Sequence, residues 1–313
     1  VPGWSEILLE VQQTLLPNGA PDFDQLRRKY LAELAAYTER PTVLYSSSWL
    51  TAGGVDTSIT LQDVQGFMEV FHGLRGAHLD LILHSPGGSP EAADRIVRYI
   101  RSRFNEVRVI VPFAAMSAAT MMSLAADEIV MGDHSQLGPI DPQIPMGNTM
   151  VPAHALLRQF RRASDECAED PRKLSAWMPT LQQYQPGLLE ICSDYEELGR
   201  ELVEQWLSRY MLKDRVDRDA LAKASAGFFA NGVEHHTHSR AIDREQVRRL
   251  GLTVVDLEAD DQLQDLVLSV HHATTLMFQA TSCVKIIENN VGRAFVTQRQ
   301  VIAMPPQMSV QLG

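Results

Sequence analysis

The sequence predicts an α/β fold with a parallel core sheet, and three observations carry that prediction. Short apolar runs at Leu79–His84, Val107–Val111 and Glu128–Met131 have the length and content of buried strands. Segments of helical period lie between them, at Pro90–Arg103 and from Ser117 to Ala126. Proline and glycine mark the junctions, in Ser85-Pro86-Gly87-Gly88 and at Pro112. Strand and helix in alternation fold as right-handed crossovers on one sheet.

The flanking elements follow by the same rules. Trp4, Ile7, Leu8, Val11 and Leu15 share one face of a helix over residues 4–16, which Pro17-Asn18-Gly19 ends. A second amphipathic helix covers 22–38, capped by Asp22 or Asp24. Thr42–Tyr45 reads as a strand and Thr60–Leu74 as a helix. Ser135–Ile144, rich in Pro and Gly, reads as extended loop. Residues 146–178 read as mixed helix without a strand, Pro186–Leu212 as a long helix split near Gly199, and 217–230 as another helix. Gly251 suits a position just past a helix end, before Thr253-Val254 returns to the sheet. Leu263–Ala280 is an amphipathic helix, and 303–313 reads as a tail.

Composition narrows the function. The 313 residues, 45% hydrophobic, suffice for a sizeable core. A formal net charge of −11 argues against a general nucleic-acid or anionic-membrane binder. Cys167, Cys192 and Cys283 are too few and too scattered for a disulfide framework or metal site, which favours a reducing cytoplasm. No apolar run has the length of a membrane span, and Val1-Pro2-Gly3-Trp4 does not open a signal peptide. The Ser- and Gly-rich loop 46–54 lacks the phosphate-binding loop pattern, so no nucleotide cofactor is expected. His235, His236 and His238 stand near Glu234, but without a second ligand cluster they are read as a polar loop, and no metal is expected.

Two stretches carry chemistry. Ser117 follows the 107–111 strand at the first turn of a helix, where backbone N–H groups are free and the helix dipole is positive. A hydroxyl there can attack a carbonyl, with the Ala118 N–H facing the oxyanion; the same residue can equally serve as a plain helix cap. Upstream, Gly87 and Gly88 let a strand-to-helix turn approach another chain closely and aim an N–H at a carbonyl oxygen. About thirty residues apart, the two stretches suit one βαβ unit, with both at the carboxyl ends of neighbouring strands.

In order, H-S-P-G-G, A-M-S-A-A-T and A-A-D-E-I-V-M-G-D-H-S-Q-L-G-P-I-D-P-Q resemble the serine dehydrogenase proteinase family, related to signal peptide peptidase A and the Clp protease proteolytic subunit. The resemblance runs from about Pro41 to about Phe295. It implies a crotonase-like (Clp protease-like) α/β fold with N-terminal helices over 1–40, a protease domain over 41–300 and a tail over 301–313. The protease domain would hold a helical insertion at about 146–230. It implies Ser117 as nucleophile and an oxyanion hole from the N–H groups of Gly88 and Ala118. Gly87, Gly138, Pro139 and Asp141 would help hold a protein or peptide substrate. One departure is Ala119, where many relatives have glycine. A homo-oligomer is expected, and an ATPase or activating protein is a partner the resemblance admits.

The base is the open point. No histidine occupies the place that the Clp subunit uses, and the signal peptide peptidase relatives use lysine. Lys173 is the only lysine between 135 and 212 and is the candidate, provided burial lowers its pKa; otherwise it is a solvated surface lysine. His84 and His134 are the fallback bases, with Asp141 as an orienter. His238 is read as part of a structural return to the sheet. Three functions stay open: a serine peptidase, a crotonase-like acyl-CoA enzyme that needs no Ser117, and a catalytically weak scaffold or regulatory subunit.

Overall fold

Two helices come first, α1 (Trp4–Gln13) and α2 (Phe23–Thr38). The chain then alternates through β1 (Thr42–Ser47), α3 (Asp63–Phe71), β2 (His78–His84), α4 (Pro90–Arg103) and β3 (Glu106–Val111). The two-residue β4 (Ala114–Ala115) precedes α5 (Ala118–Leu124) and β5 (Glu128–Met131). Short β6 (Gln136–Leu137) leads to a hairpin of β7 (Gln143–Met146) and β8 (Thr149–Pro152). Four helices follow: α6 (Ala153–Glu169), α7 (Leu174–Leu181), α8 (Leu188–Arg209) and α9 (Arg218–Ala230). One-turn α10 (Gly232–His235) and α11 (Arg244–Arg249) bring the chain back to β9 (Val254–Asp256). Long α12 (Asp261–Ala280), β10 (Cys283–Asn289) and β11 (Ala294–Gln298) complete the computed structural model, which describes residues 3–51, 53–147 and 149–299. The tail expected at 301–313 lies outside the described residues.

Seven strands form the main sheet in the order β11-β10-β1-β2-β3-β5-β9. β1, β2, β3, β5 and β9 are parallel, and β10 joins β1 antiparallel. Both faces are covered, which is why the parallel strands read as unbroken apolar runs rather than alternating ones. Val43, Leu81, Val109 and Ile129 pack on one side with α3, α4, α5 and the end of α8. Leu44, Ile82, Ile110 and Val130 face the other side, toward α1, α2 and α12. On that second side Arg27 of α2 forms a fully buried ion pair with Glu288 of β10.

Asp22 caps α2 by accepting from Gln25 N–H at 2.9 Å, as expected. Two expectations need correction. β7 and β8 form a hairpin where extended loop to 144 and helix from 146 were expected; the strands pair only with each other and are four residues long, too short for a periodic signal. Helix α8 runs unbroken through Gly199, because packing overrides the weak helix preference of a buried glycine. The helices after 153 pack in two places. Leu202, Val203, Trp206 and Leu207 of α8 and Ala226 and Phe229 of α9 belong to the main core, while α6 closes a small cluster of its own with Ile144, Leu156 and Cys192.

Candidate active site

Ser117 sits between β4 and α5 with φ 50° and ψ −119°, a left-handed conformation that a non-glycine residue adopts only at a cost of about 1–3 kcal/mol. Its hydroxyl caps nothing: among the described residues it has no hydrogen-bond partner. The surroundings impose this geometry. Ser85 N–H donates to Ala114 C=O at 3.1 Å, and Met116 N–H to Ser85 C=O at 3.0 Å, which pins the turn to the end of β2. Thr120 Oγ1 donates to Ala115 C=O at 2.8 Å and accepts from Gly138 N–H at 2.9 Å, which pins it from behind. A sharp strand–turn–helix of this kind exposes a nucleophile at the carboxyl end of a sheet.

The glycines upstream have a steric reason. A Cβ on Gly87, at φ 95°, would lie 2.5 Å from Met116 O and 2.6 Å from Ser117 Cβ. A Cβ on Gly88 would run into the backbone of Ile59, which pairs with Gly88 as an isolated parallel bridge. The turn therefore lies directly against the Ser117 backbone. The N–H groups of Gly88 and Ala118 have no hydrogen-bond partner among the described residues.

Ser117, Gly87 and Gly88 line a cleft of about 760 Å³, and His238 stands in the same wall. His238 Nδ1 is 2.8 Å from Asp141 Oδ1, and Asp141 is 2% exposed. Gln143 Nε2 donates to the other carboxylate oxygen at 2.8 Å. His154 Nδ1 stands 3.9 Å from that oxygen, and burial pushes this histidine below its ordinary pKa. The carboxylate thus fixes the His238 ring with Nδ1 as donor and leaves Nε2 as the basic nitrogen. Met121, Ile140, Pro142, Pro145 and Tyr195 give the cleft an apolar lining.

Other expected residues lie elsewhere. Lys173 sits on a short 3₁₀ turn with its side chain 44% exposed and Nζ 3.9 Å from Glu169. It does not line the cleft, and within this chain its side chain lacks the burial expected of it. His84 is buried behind the turn with Nδ1 3.1 Å from Ala114 O, and burial lowers its pKa to about 4. His134 Nε2 is held by Pro112 O at 3.0 Å. Gly138 and Pro139 are buried beneath the cleft rather than lining it, and Asp141 holds His238.

His238, read from the sequence as part of a polar loop returning to the sheet, is the histidine that the structure brings into the cleft wall. The three clustered histidines are spent separately: His235 Nε2 lies 2.7 Å from Phe228 O, His236 takes a left-handed backbone, and only His238 reaches an acid.

The model of the ClpP-like SDH-type serine proteinase family matches residues 59–180. That segment is about two fifths of the chain, and over it the chain is similar to the family. The match includes Gly88, Ser117 and Asp141 and ends before His238. Two proteins of Methanocaldococcus jannaschii, the uncharacterized proteins MJ0137 and MJ1495, are 30% and 32% identical over 200 and 176 residues, 63% and 56% of this chain. The chain spans 60% and 51% of their lengths. Two solved structures of the membrane-bound stomatin-specific protease 1510-N are also similar. A serine-to-alanine mutant has 14% identity over 63% of this chain and 74% of that one, with a TM-score of 0.37. A lysine-to-alanine mutant in complex with a substrate peptide has 16% identity over 63% and 70%, with a TM-score of 0.39. No described helix is long and apolar enough to cross a membrane.

Proposed function

We propose that the chain is a serine peptidase that cleaves peptide bonds through an acyl-enzyme, with Ser117 as nucleophile, His238 as base and Asp141 as its orienting partner. The observation that carries this reading is one cleft holding a serine on a strained turn and a histidine fixed by a buried carboxylate. As substrate seats, Ser117 Oγ attacks the carbonyl carbon and its proton passes to His238 Nε2. The N–H groups of Gly88 and Ala118 stabilise the oxyanion, each worth about 3–4 kcal/mol. His238 returns the proton to the departing amine. Water, deprotonated by the same nitrogen, then hydrolyses the ester. The chain order Ser–Asp–His is one of several in which this constellation recurs on different folds. The apolar lining favours substrates with apolar side chains next to the cleaved bond.

The acyl-CoA reading has no use for a buried carboxylate that orients a histidine, and a scaffold has none for the strain at Ser117. A fluorophosphonate probe separates them: it should label Ser117 in the native chain and not in Ser117→Ala, and no labelling would remove the peptidase reading.

The reading extends to a homo-oligomer in a reducing cytoplasm. Exposed Trp4 and Leu9 on α1, and Leu174, Met178 and Ile191 in the α7–α8 region, support the first; three free cysteines support the second. Light scattering that shows only a particle of about 35 kDa at micromolar concentration would oppose the oligomer. Delivery by a partner ATPase predicts that folded proteins are degraded only when such a partner is added.

A further inference from the structure

Behind the turn that carries Gly88 lies a buried charged knot. Lys285 of β10, its side chain 6% exposed, donates from Nζ to Asp63 Oδ1 at 2.9 Å and to Ser58 C=O at 2.7 Å. Asp63, 1% exposed at the start of α3, also accepts from Tyr45 OH at 2.9 Å and from Thr60 N–H at 2.8 Å. The pair therefore grips the chain on both sides of Ile59, by the carbonyl before it and the amide after it.

Ile59 in turn grips the turn on both sides of Gly88. Its N–H donates to Gly87 C=O at 2.7 Å, and its C=O accepts from Ser89 N–H at 3.0 Å. Those bonds orient the two peptide planes that flank Gly88, and so decide where the Gly88 N–H points. Ser58 itself lines the cleft. A buried ion pair is a poor source of stability, since apolar side chains of similar volume often serve as well or better. Apolar side chains could not hold the Ser58 carbonyl and the Thr60 amide. We propose that Lys285 and Asp63 are positioning residues that hold the oxyanion donor Gly88 in register with Ser117. This inference rests on the peptidase reading of Ser117 and Gly88.

The test uses the full chain and the rate constant for labelling of Ser117 by a fluorophosphonate, whose P=O oxygen needs the same donor. Lys285→Met alone strands a buried carboxylate and is expected to unfold, so the informative variant is Lys285→Met/Asp63→Asn. It should keep its fold and label at least about tenfold more slowly, a fraction of the loss from removing an oxyanion donor outright. Hydrogen exchange at the amides of Ile59 and Ser89 should accelerate in parallel. The control is the buried pair of Arg27 and Glu288, as Arg27→Met/Glu288→Gln, which is expected to label at the native rate. Native labelling and exchange in Lys285→Met/Asp63→Asn would overturn the inference, as would an equal loss in the control, since the effect would then be merely structural. If the native chain is not labelled at Ser117, the peptidase reading fails first and the inference falls with it.

Discussion

His238 Nδ1 meets Asp141 Oδ1 at 2.8 Å across 97 residues of sequence, and a single backbone contact explains how. Leu137 and Ile242 form an isolated antiparallel bridge, with reciprocal N–H to C=O hydrogen bonds of 3.0 and 2.9 Å. The bridge brings the two segments together four residues before Asp141 and four residues after His238. The bridge also pairs with the base of the Ser117 turn, because β6 lies beside β4 and Leu137 is aligned with Ala115. The three proposed catalytic residues thus hang from one small lattice of backbone hydrogen bonds.

Asp141→Asn is expected to lower peptide hydrolysis by about 10⁴ while substrate binding changes little, because the amide no longer fixes the ring with Nδ1 as donor. Steady-state kinetics on a peptide substrate would show the loss in kcat. A loss confined to KM would instead mark Asp141 as a substrate-holding residue.

The strain at Ser117 has a thermodynamic signature. Ser117→Ala and Ser117→Gly should both be inactive, but glycine accepts φ 50° freely and alanine does not. Ser117→Gly is therefore expected to be the more stable of the two by about 1 kcal/mol in urea denaturation. Equal stability would mean that the turn is relaxed in solution.

Two glycines in the cleft wall should respond in opposite ways. Gly87→Ala places a methyl 2.6 Å from Ser117 Cβ at a positive φ and should cost upward of about 2 kcal/mol as well as activity. Gly199→Ala lies inside α8, where the new methyl meets only Ile140 O at 3.9 Å, and should stabilise by about 0.5–1 kcal/mol. Chemical denaturation of both variants checks the contrast.

His84 makes stability depend on pH. Burial lowers its pKa from 6.5 to about 4 in the folded chain. Between those values the unfolded chain binds a proton that the folded chain refuses. The contribution is complete above about pH 6.5 and is lost as pH falls toward 4, up to about 3 kcal/mol. His271, forced below its ordinary range by burial, adds in the same direction. A His84→Gln variant should show a shallower loss between pH 6.5 and 4 than the native chain.

The α/β core was legible because its signals are local. Strand runs such as Val107–Val111 and glycines such as Gly87 announce themselves within a few residues, and Ser117 lies beside them. His238 was not legible. Nothing in His-Ser-Arg-Ala-Ile distinguishes a base from a loop residue; its partner lies far upstream, and only the Leu137–Ile242 bridge unites them. Lys173 attracted attention as the lone lysine of its region, but charge without burial is no evidence for a base, and the structure leaves it in solvent. The β7–β8 hairpin escaped because four-residue strands are too short to show a period.

The central claim is that His238, and not Lys173, takes the proton from Ser117. The most direct measurement compares the rate of fluorophosphonate labelling of Ser117 in His238→Ala and Lys173→Ala, each verified as folded by thermal denaturation. The account predicts a fall of at least about 10³ for His238→Ala and a native rate for Lys173→Ala. A native rate for His238→Ala together with a silent Lys173→Ala would contradict it.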